Sequence, residues 1–218
     1  MTEFFRVLTD NWDLYLDGFT NTVKLFLIAA VGSLVLGTLL GAFRVSPIPA
    51  LRWFGASYVN IVRNTPLTLV FAFLVFAVPK LDVNLEYDTA AFTALTVYTA
   101  AFVCEVVRSG INTVNPGQAE AARAIGMTFD QVLTQIVLPQ ALRAMVPPLM
   151  SVLIAMLKNT TIAAGFSVLE AGAIPFYMAE RGEPQFYVLL WIVIGFLILI
   201  APLILLQRTL ERRMAVAR

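Results

Sequence analysis

Apolar residues in this chain fall into long unbroken runs separated by short polar, proline-rich punctuation. Leu25–Phe43 is 19 residues without a charge, and Pro184–Gln207 contains 24 uncharged residues. A helix needs about 20 apolar residues to cross the hydrocarbon layer. The pattern predicts five spans. The first covers about 19–43 and is ended by Arg44, Ser46, Pro47 and Pro49. The second covers about 55–79 and is interrupted near Asn64-Thr65-Pro66. The third covers about 88–110, the fourth about 146–168 (opening on Pro147-Pro148), and the fifth about 185–207. Helix is expected throughout, because backbone groups in lipid must be satisfied within their own segment. Leu25–Phe43 lacks the alternating polarity of a membrane β-strand.

Composition agrees with this pattern. Hydrophobic residues make up 59% of the 218 and charged residues 13%, with mean hydropathy +0.81. A soluble domain carries about 25% charged residues. The formal net charge of +1 offers nothing to a nucleic-acid backbone. The chain has no histidine and one cysteine, Cys104, which excludes histidine-based triads, an intrachain disulfide and the usual metal sites. Residues 1–17 carry Glu3, Asp10, Asp13 and Asp17 against Arg6, unlike the basic start of a signal peptide, so the first span is expected to be permanent. The fold class expected is an all-α integral membrane protein, with residues 1–218 forming a single transmembrane domain.

Basic residues orient the chain. With the N-terminus outside, the inner side carries Arg44, Arg52, Arg123, Arg143, Arg208, Arg212, Arg213 and Arg218, against Arg6, Lys80 and Arg181 outside. N-out and C-in is the expectation. It leaves the longest connection, about 111–145, on the inner side. Asn115-Pro116-Gly117 opens a short helix there that Gly126 stops, since glycine takes the left-handed cap without penalty. Thr128-Phe129-Asp130-Gln131 has capping-box spacing. Phe129, Val132, Leu133, Ile136 and Val137 then form one apolar stripe on a helix that Pro139 ends or kinks. Periodicity alone leaves two readings open, a docking element or an amphipathic loop lying on the membrane surface.

Glu120-Ala121-Ala122, three residues, Gly126, nine residues, then Ile136-Val137-Leu138-Pro139 resembles the EAA loop of ABC importer permeases at every fixed position. Arg63-Asn64-Thr65-Pro66-Leu67, Glu105-Val106-Val107-Arg108-Ser109-Gly110-Ile111 and Lys158-Asn159-Thr160-Thr161 resemble elements of the polar amino-acid uptake branch. The wording of Val62–Leu69 and Arg108–Val114 is similar to permeases of actinobacterial glutamate uptake systems. The resemblance implies a five-helix type I importer permease with a cytoplasmic coupling helix in the loop at about 115–140. Glu120 and Arg123 would make polar contacts with an ATPase, Ala121 and Ala122 would permit close approach, Gly126 would set the corner, and Pro139 closes the motif. It further implies a cytoplasmic ATP-binding subunit, a second permease subunit forming a heterodimer, an extracytoplasmic amino-acid-binding protein, the lipid bilayer and a bacterial cytoplasmic membrane. No nucleic acid is expected. This chain has no Gly-x-x-x-x-Gly-Lys-[Ser/Thr] loop, so ATP and magnesium are expected on the partner, with no cofactor, metal or catalytic residue here.

Ionisable groups inside spans are costly and are functional candidates by default. Tyr98, Ala101, Glu105 and Arg108 share one stripe of the third span, and Glu105 and Arg108 are spaced to pair. Lys158 falls near mid-membrane, followed by Asn159, Thr160 and Thr161. Arg63, Asn64 and Thr65 precede Pro66, which frees a backbone carbonyl. Arg63, Arg108 and Lys158 against Glu105 leave two surplus positive charges, which suits an amino acid with two carboxylates and one ammonium. These ten polar residues are the expected translocation path. The structural alternative is an intrahelical Glu105–Arg108 pair, Arg63 capping carbonyls, and Lys158 reaching toward an interface. Two functional alternatives stand beside acidic amino-acid import: a glutamine, other polar or cationic amino-acid permease of the same family, and an ion-coupled secondary transporter. Gly32, Gly37 and Gly41 read as helix-packing positions. Trp12, Trp53 and Tyr58 read as interface anchors.

Overall fold

The computed structural model describes residues 2–215. Arg218, one of the inner basic residues counted above, lies outside them. The described residues form helices joined by short connections: α1 (Thr2–Thr9), α2 (Trp12–Val45), α3 (Pro49–Arg63), α4 (Leu67–Leu81), α5 (Tyr87–Asn112), α6 (Pro116–Ala124), α7 (Phe129–Phe166), α8 (Ile174–Glu180) and α9 (Gln185–Ala215). By length and composition α2, α5, α7 and α9 can each cross a membrane. The α3–α4 pair makes a fifth crossing if it is counted as one span.

Helix α5 is the axis of the bundle. Ala90, Ala91, Ala94, Leu95, Ala100, Ala101, Val103 and Cys104 on it are all buried. α2 lies close against it because glycines face it. A Cβ on Gly37 would stand 2.5 Å from the Val103 side chain and 2.8 Å from the Ala100 carbonyl, and one on Gly41 would stand 2.7 Å from Val107. Without those atoms the two backbones approach and gain dispersion contact, which is the main attraction between helices in lipid.

The second predicted span is sharply bent: α3 and α4 meet at 101°. Proline lacks an amide hydrogen, and its ring disfavours helical geometry in the residue before it, so the helix stops at Arg63. The carbonyls stranded by the break are answered locally. The Asn64 amide donates to the Asn60 carbonyl at 2.7 Å, and the Thr65 hydroxyl donates to that of Ile61 at 2.8 Å. The fourth span begins earlier than its apolar run. Its helix is continuous from Phe129 to Phe166, with a π-helical stretch at Val132–Val137. Pro139 therefore does not end the helix. The wider turn lies directly before it, where the proline cannot supply an amide to the preceding turn.

Contacts define the two ends of the bundle. At one end α1 is tied to the start of α9. Arg6 forms a two-pronged ion pair with Glu183 at 2.9 and 3.3 Å, and the Trp191 indole donates to the Phe4 carbonyl at 2.7 Å. The opposite end carries the α2–α3 corner, α6, the start of α7 and the C-terminal part of α9. Tyr58 is not a free interface anchor, since its hydroxyl donates to the Val97 carbonyl at 2.7 Å and fastens α3 to α5.

Candidate translocation path and coupling surface

Glu105 is the centre of a charged knot where α2, α3 and α5 meet. Its Oε1 accepts from Arg44, while Arg108 and Arg63 approach Oε2 at 3.8 and 3.9 Å. The intrahelical Glu105–Arg108 pair is thus only one contact of three, and the nearest partner is Arg44, which the sequence pattern had assigned to the loop ending the first span. Hydropathy marks the end of an apolar run but not the depth to which a long guanidinium side chain reaches back. Three guanidiniums around one carboxylate leave two positive charges over. Arg63 also stands over the Phe102 ring, 5.3 Å from its centroid, where a cation gains from the ring quadrupole. A cavity of about 300 Å³ opens beside the knot, lined by Arg63, Glu105, Ser109 and Thr113 among others.

One helical turn or two toward the α1 end, Tyr98 and Asn159 line a common cavity of about 240 Å³ between α5 and α7, with Thr99, Phe102, Val152 and Met156. Phe102 belongs to this wall and also carries Arg63 on its face, so the apolar cavity adjoins the charged knot. The other predicted path residues are not gathered here. Lys158 points into a separate cleft beside α9. Thr160 and Thr161 spend their hydroxyls on the carbonyls of Leu157 and Lys158, each at 2.8 Å, where α7 tightens into a 3-10 turn, and Thr160 is buried. Asn64 and Thr65 are the caps of α3 described above.

The α6–α7 corner takes the shape its sequence predicts. Asn115 accepts from the Gly117 amide at 2.9 Å, and Gly126 adopts φ +92°. Thr128 and Gln131 form the reciprocal capping box, at 2.9 and 3.4 Å. Glu120, Ala121 and Arg123 are exposed, whereas Ala122 is buried, so its small side chain serves packing within the corner. Pro139 lines a groove beneath α6 with Ala121, Ala122 and Ile125. Sequence reasoning passed over Ile125, which is 82% exposed, and placed Phe129 on the apolar stripe, whereas it is 74% exposed. Apolar residues flanking an exposed glycine corner were the available signal.

Glu170 was also missed, since it lies just past the fourth predicted span. It is fully buried in the connection between α7 and α8. Its Oε2 lies 3.2 Å from the Thr22 hydroxyl on α2, while Oε1 has no hydrogen-bond partner. Burial pushes its carboxyl up to about 7, against the lowering influence of the Gly172 backbone and the Thr22 hydroxyl. Its place in the apolar stretch Val168-Leu169-Glu170-Ala171-Gly172-Ala173 is the sequence signal for that burial.

Residues 33–216 match the family of binding-protein-dependent transport system inner membrane components. The chain belongs to that family. It is an ABC importer permease of the inner membrane, and it shares most of its length with relatives named as amino-acid transport permeases. The glutamate transport system permease protein GluC of Corynebacterium efficiens is 42% identical over 93% of this chain and 95% of its own. The probable glutamine ABC transporter permease protein GlnM of Bacillus subtilis is 35% identical over 95% of this chain and 96% of its own. Among solved structures, an amino acid ABC transporter crystallised with histidines matches this permease at TM-score 0.89 and 26% identity, covering 94% of this chain and 96% of that one.

Proposed function

We propose that this permease is a membrane-spanning subunit of an ATP-driven importer of acidic amino acids, with glutamate as substrate. The 42% identity to a permease named for glutamate transport carries the reading. The positive surplus around Glu105, open to a cavity and adjoining the Tyr98–Asn159 cavity, supports it, because an anionic substrate entering that region meets uncompensated guanidinium charge. Glu105 itself is occupied by Arg44, so its part is to hold the three arginines in place. Arg63 and Arg108 then face the path.

The α6 end is the cytoplasmic end in this reading, with the basic residues Arg44, Arg52, Arg123, Arg143, Arg208, Arg212 and Arg213 on the inner side. A cytoplasmic ATP-binding subunit receives the corner. Glu120 and Arg123 supply polar contacts there, and Ile125 and Phe129 supply the apolar anchors. A second, homologous permease completes the path, and an extracytoplasmic binding protein delivers the amino acid. Because α6 joins α7 through one glycine turn, motion of α6 is passed directly to a helix that lines the path.

The test is ATP hydrolysis by the purified complex in liposomes with binding protein present, titrated with glutamate, aspartate, glutamine and arginine. Stimulation by the two acidic amino acids is expected. The second reading, a glutamine permease, is favoured by the 35% identical relative of that name and predicts stimulation by glutamine instead. Uptake driven by an ion gradient without ATP would overturn both.

A further inference from the structure

A second polar cleft lies between α7 and α9, away from the Glu105 knot. It has a volume of about 470 Å³ and is lined by Ser151, Ile154, Lys158, Ile204, Gln207, Arg208 and Glu211. The two walls are pinned by one side chain. The Gln207 amide donates to Ser151 Oγ at 3.3 Å and to Glu211 Oε1 at 3.0 Å, which joins the helices and turns the Glu211 carboxylate toward the cleft. Among the described residues the side chains of Lys158 and Arg208 make no ion pair or hydrogen bond, although Glu211 lines the same cleft.

Lys158 stands eight residues before the end of α7, roughly 15 Å along the axis, because the stretch from Thr160 is 3-10 helix and rises about 2.0 Å per residue. That is well inside the hydrocarbon layer, where an ammonium facing lipid is costly and such groups face a polar cavity instead. The cleft offers two cations, one carboxylate and the neutral donors and acceptors of Ser151 and Gln207. A dicarboxylic amino acid presents two carboxylates and one ammonium. A neutral amino acid leaves one of the cations unanswered, and a phosphate group that carries no ammonium leaves Glu211 unanswered.

We propose that this cleft is a second station for the substrate on its way to the cytoplasm. Lys158 and Arg208 bind the two carboxylates, and Glu211 receives the ammonium. The inference rests on the acidic amino-acid reading above and extends it to α9, which the sequence assigned to no site. It also gives the ammonium a carboxylate not already claimed by an arginine, as Glu105 is by Arg44.

The test is uptake of radiolabelled glutamate and glutamine by the whole complex in liposomes, for wild type, Lys158→Met, Lys158→Arg and Glu211→Gln, with assembly checked by copurification of the ATPase. Lys158→Met is expected to lower the glutamate-to-glutamine uptake ratio roughly tenfold, with Lys158→Arg restoring most of it. Glu211→Gln is expected to raise KM for both substrates, since both carry the ammonium. Wild type that carries glutamate while the variants keep its kinetics overturns the station and leaves the proposed function standing. Wild type that carries glutamine alone overturns both. A Lys158→Met defect that disappears in liposomes lacking anionic lipid assigns the cleft to a headgroup and overturns the station.

Discussion

Glu105 shows what one carboxylate does among three guanidiniums. The Glu105→Gln substitution keeps the shape but leaves Arg44, Arg63 and Arg108 repelling one another in a partly buried site. Removing one partner of a fully buried pair costs about 3–5 kcal/mol, and the residual exposure here reduces that to about 1–3 kcal/mol. The expected outcome is a lowered thermal midpoint in detergent, more severe than for Arg108→Gln, which leaves Glu105 its nearest partner. Glu170 makes the opposite kind of prediction. Its folded value near 7 lies above the ordinary carboxylate value of 4.5, so the folded state holds a proton there that the unfolded chain gives up. Stability from this group is complete below about pH 4.5 and is lost as pH rises through 7, a change on the order of 3 kcal/mol at most. Melting curves from pH 5 to pH 8 should show that decline in wild type, and Glu170→Gln should flatten it.

At the scale of elements, close approach and the glycine corner are the two devices that govern the bundle. Gly37→Val places methyl groups where Val103 and the Ala100 carbonyl already stand. Overpacking of this kind costs about 1–3 kcal/mol, and the expected result is loss of the α2–α5 contact, read as a lowered melting midpoint and faster proteolysis. Gly126 has open space around it but φ +92°, so the penalty of substitution is conformational. Gly126→Val should therefore keep the protein in the membrane and reorient α6 against α7. Substrate-stimulated ATP hydrolysis is expected to fall by at least tenfold while membrane yield stays close to wild type. Normal transport in that variant would count against α6 as the lever. The corner was legible in advance, because capping boxes and left-handed glycines are written locally. The π-helical turn before Pro139 was not, since it depends on α7 continuing into the span.

At the scale of the whole molecule, the charge distribution makes a topology that labelling can read. Cys104 is fully buried, so engineered cysteines report without background. Glu86→Cys, in the connection before α5, should react with a membrane-impermeant maleimide in intact cells. Glu120→Cys on α6 should react only after permeabilisation. The reverse pattern would place the coupling corner outside and sink the proposed link to a cytoplasmic ATPase.

Sequence alone determined the membrane class, the apolar helices, the break at Pro66 and the α6–α7 corner. Each of these follows from local chemistry: hydropathy over a span's length, an amide that proline lacks, a glycine that tolerates positive φ. The family was legible for the same reason, since Glu120-Ala121-Ala122, Gly126 and Pro139 lie within one contiguous stretch. The tertiary structure alone decided which polar residues meet. Arg44 reaches Glu105 across 61 positions of chain, and Thr22 reaches Glu170 across 148. Those distances close only when α2 packs on α5 and the α7–α8 connection folds back over α2. Lys158 was recognised as an intramembrane cation, but its neighbours Gln207, Arg208 and Glu211 come from the last helix. Nothing in the spacing along the chain specifies which face of α9 lies against α7. Side-chain packing between helices fixes that face, and packing is a property of the assembled bundle.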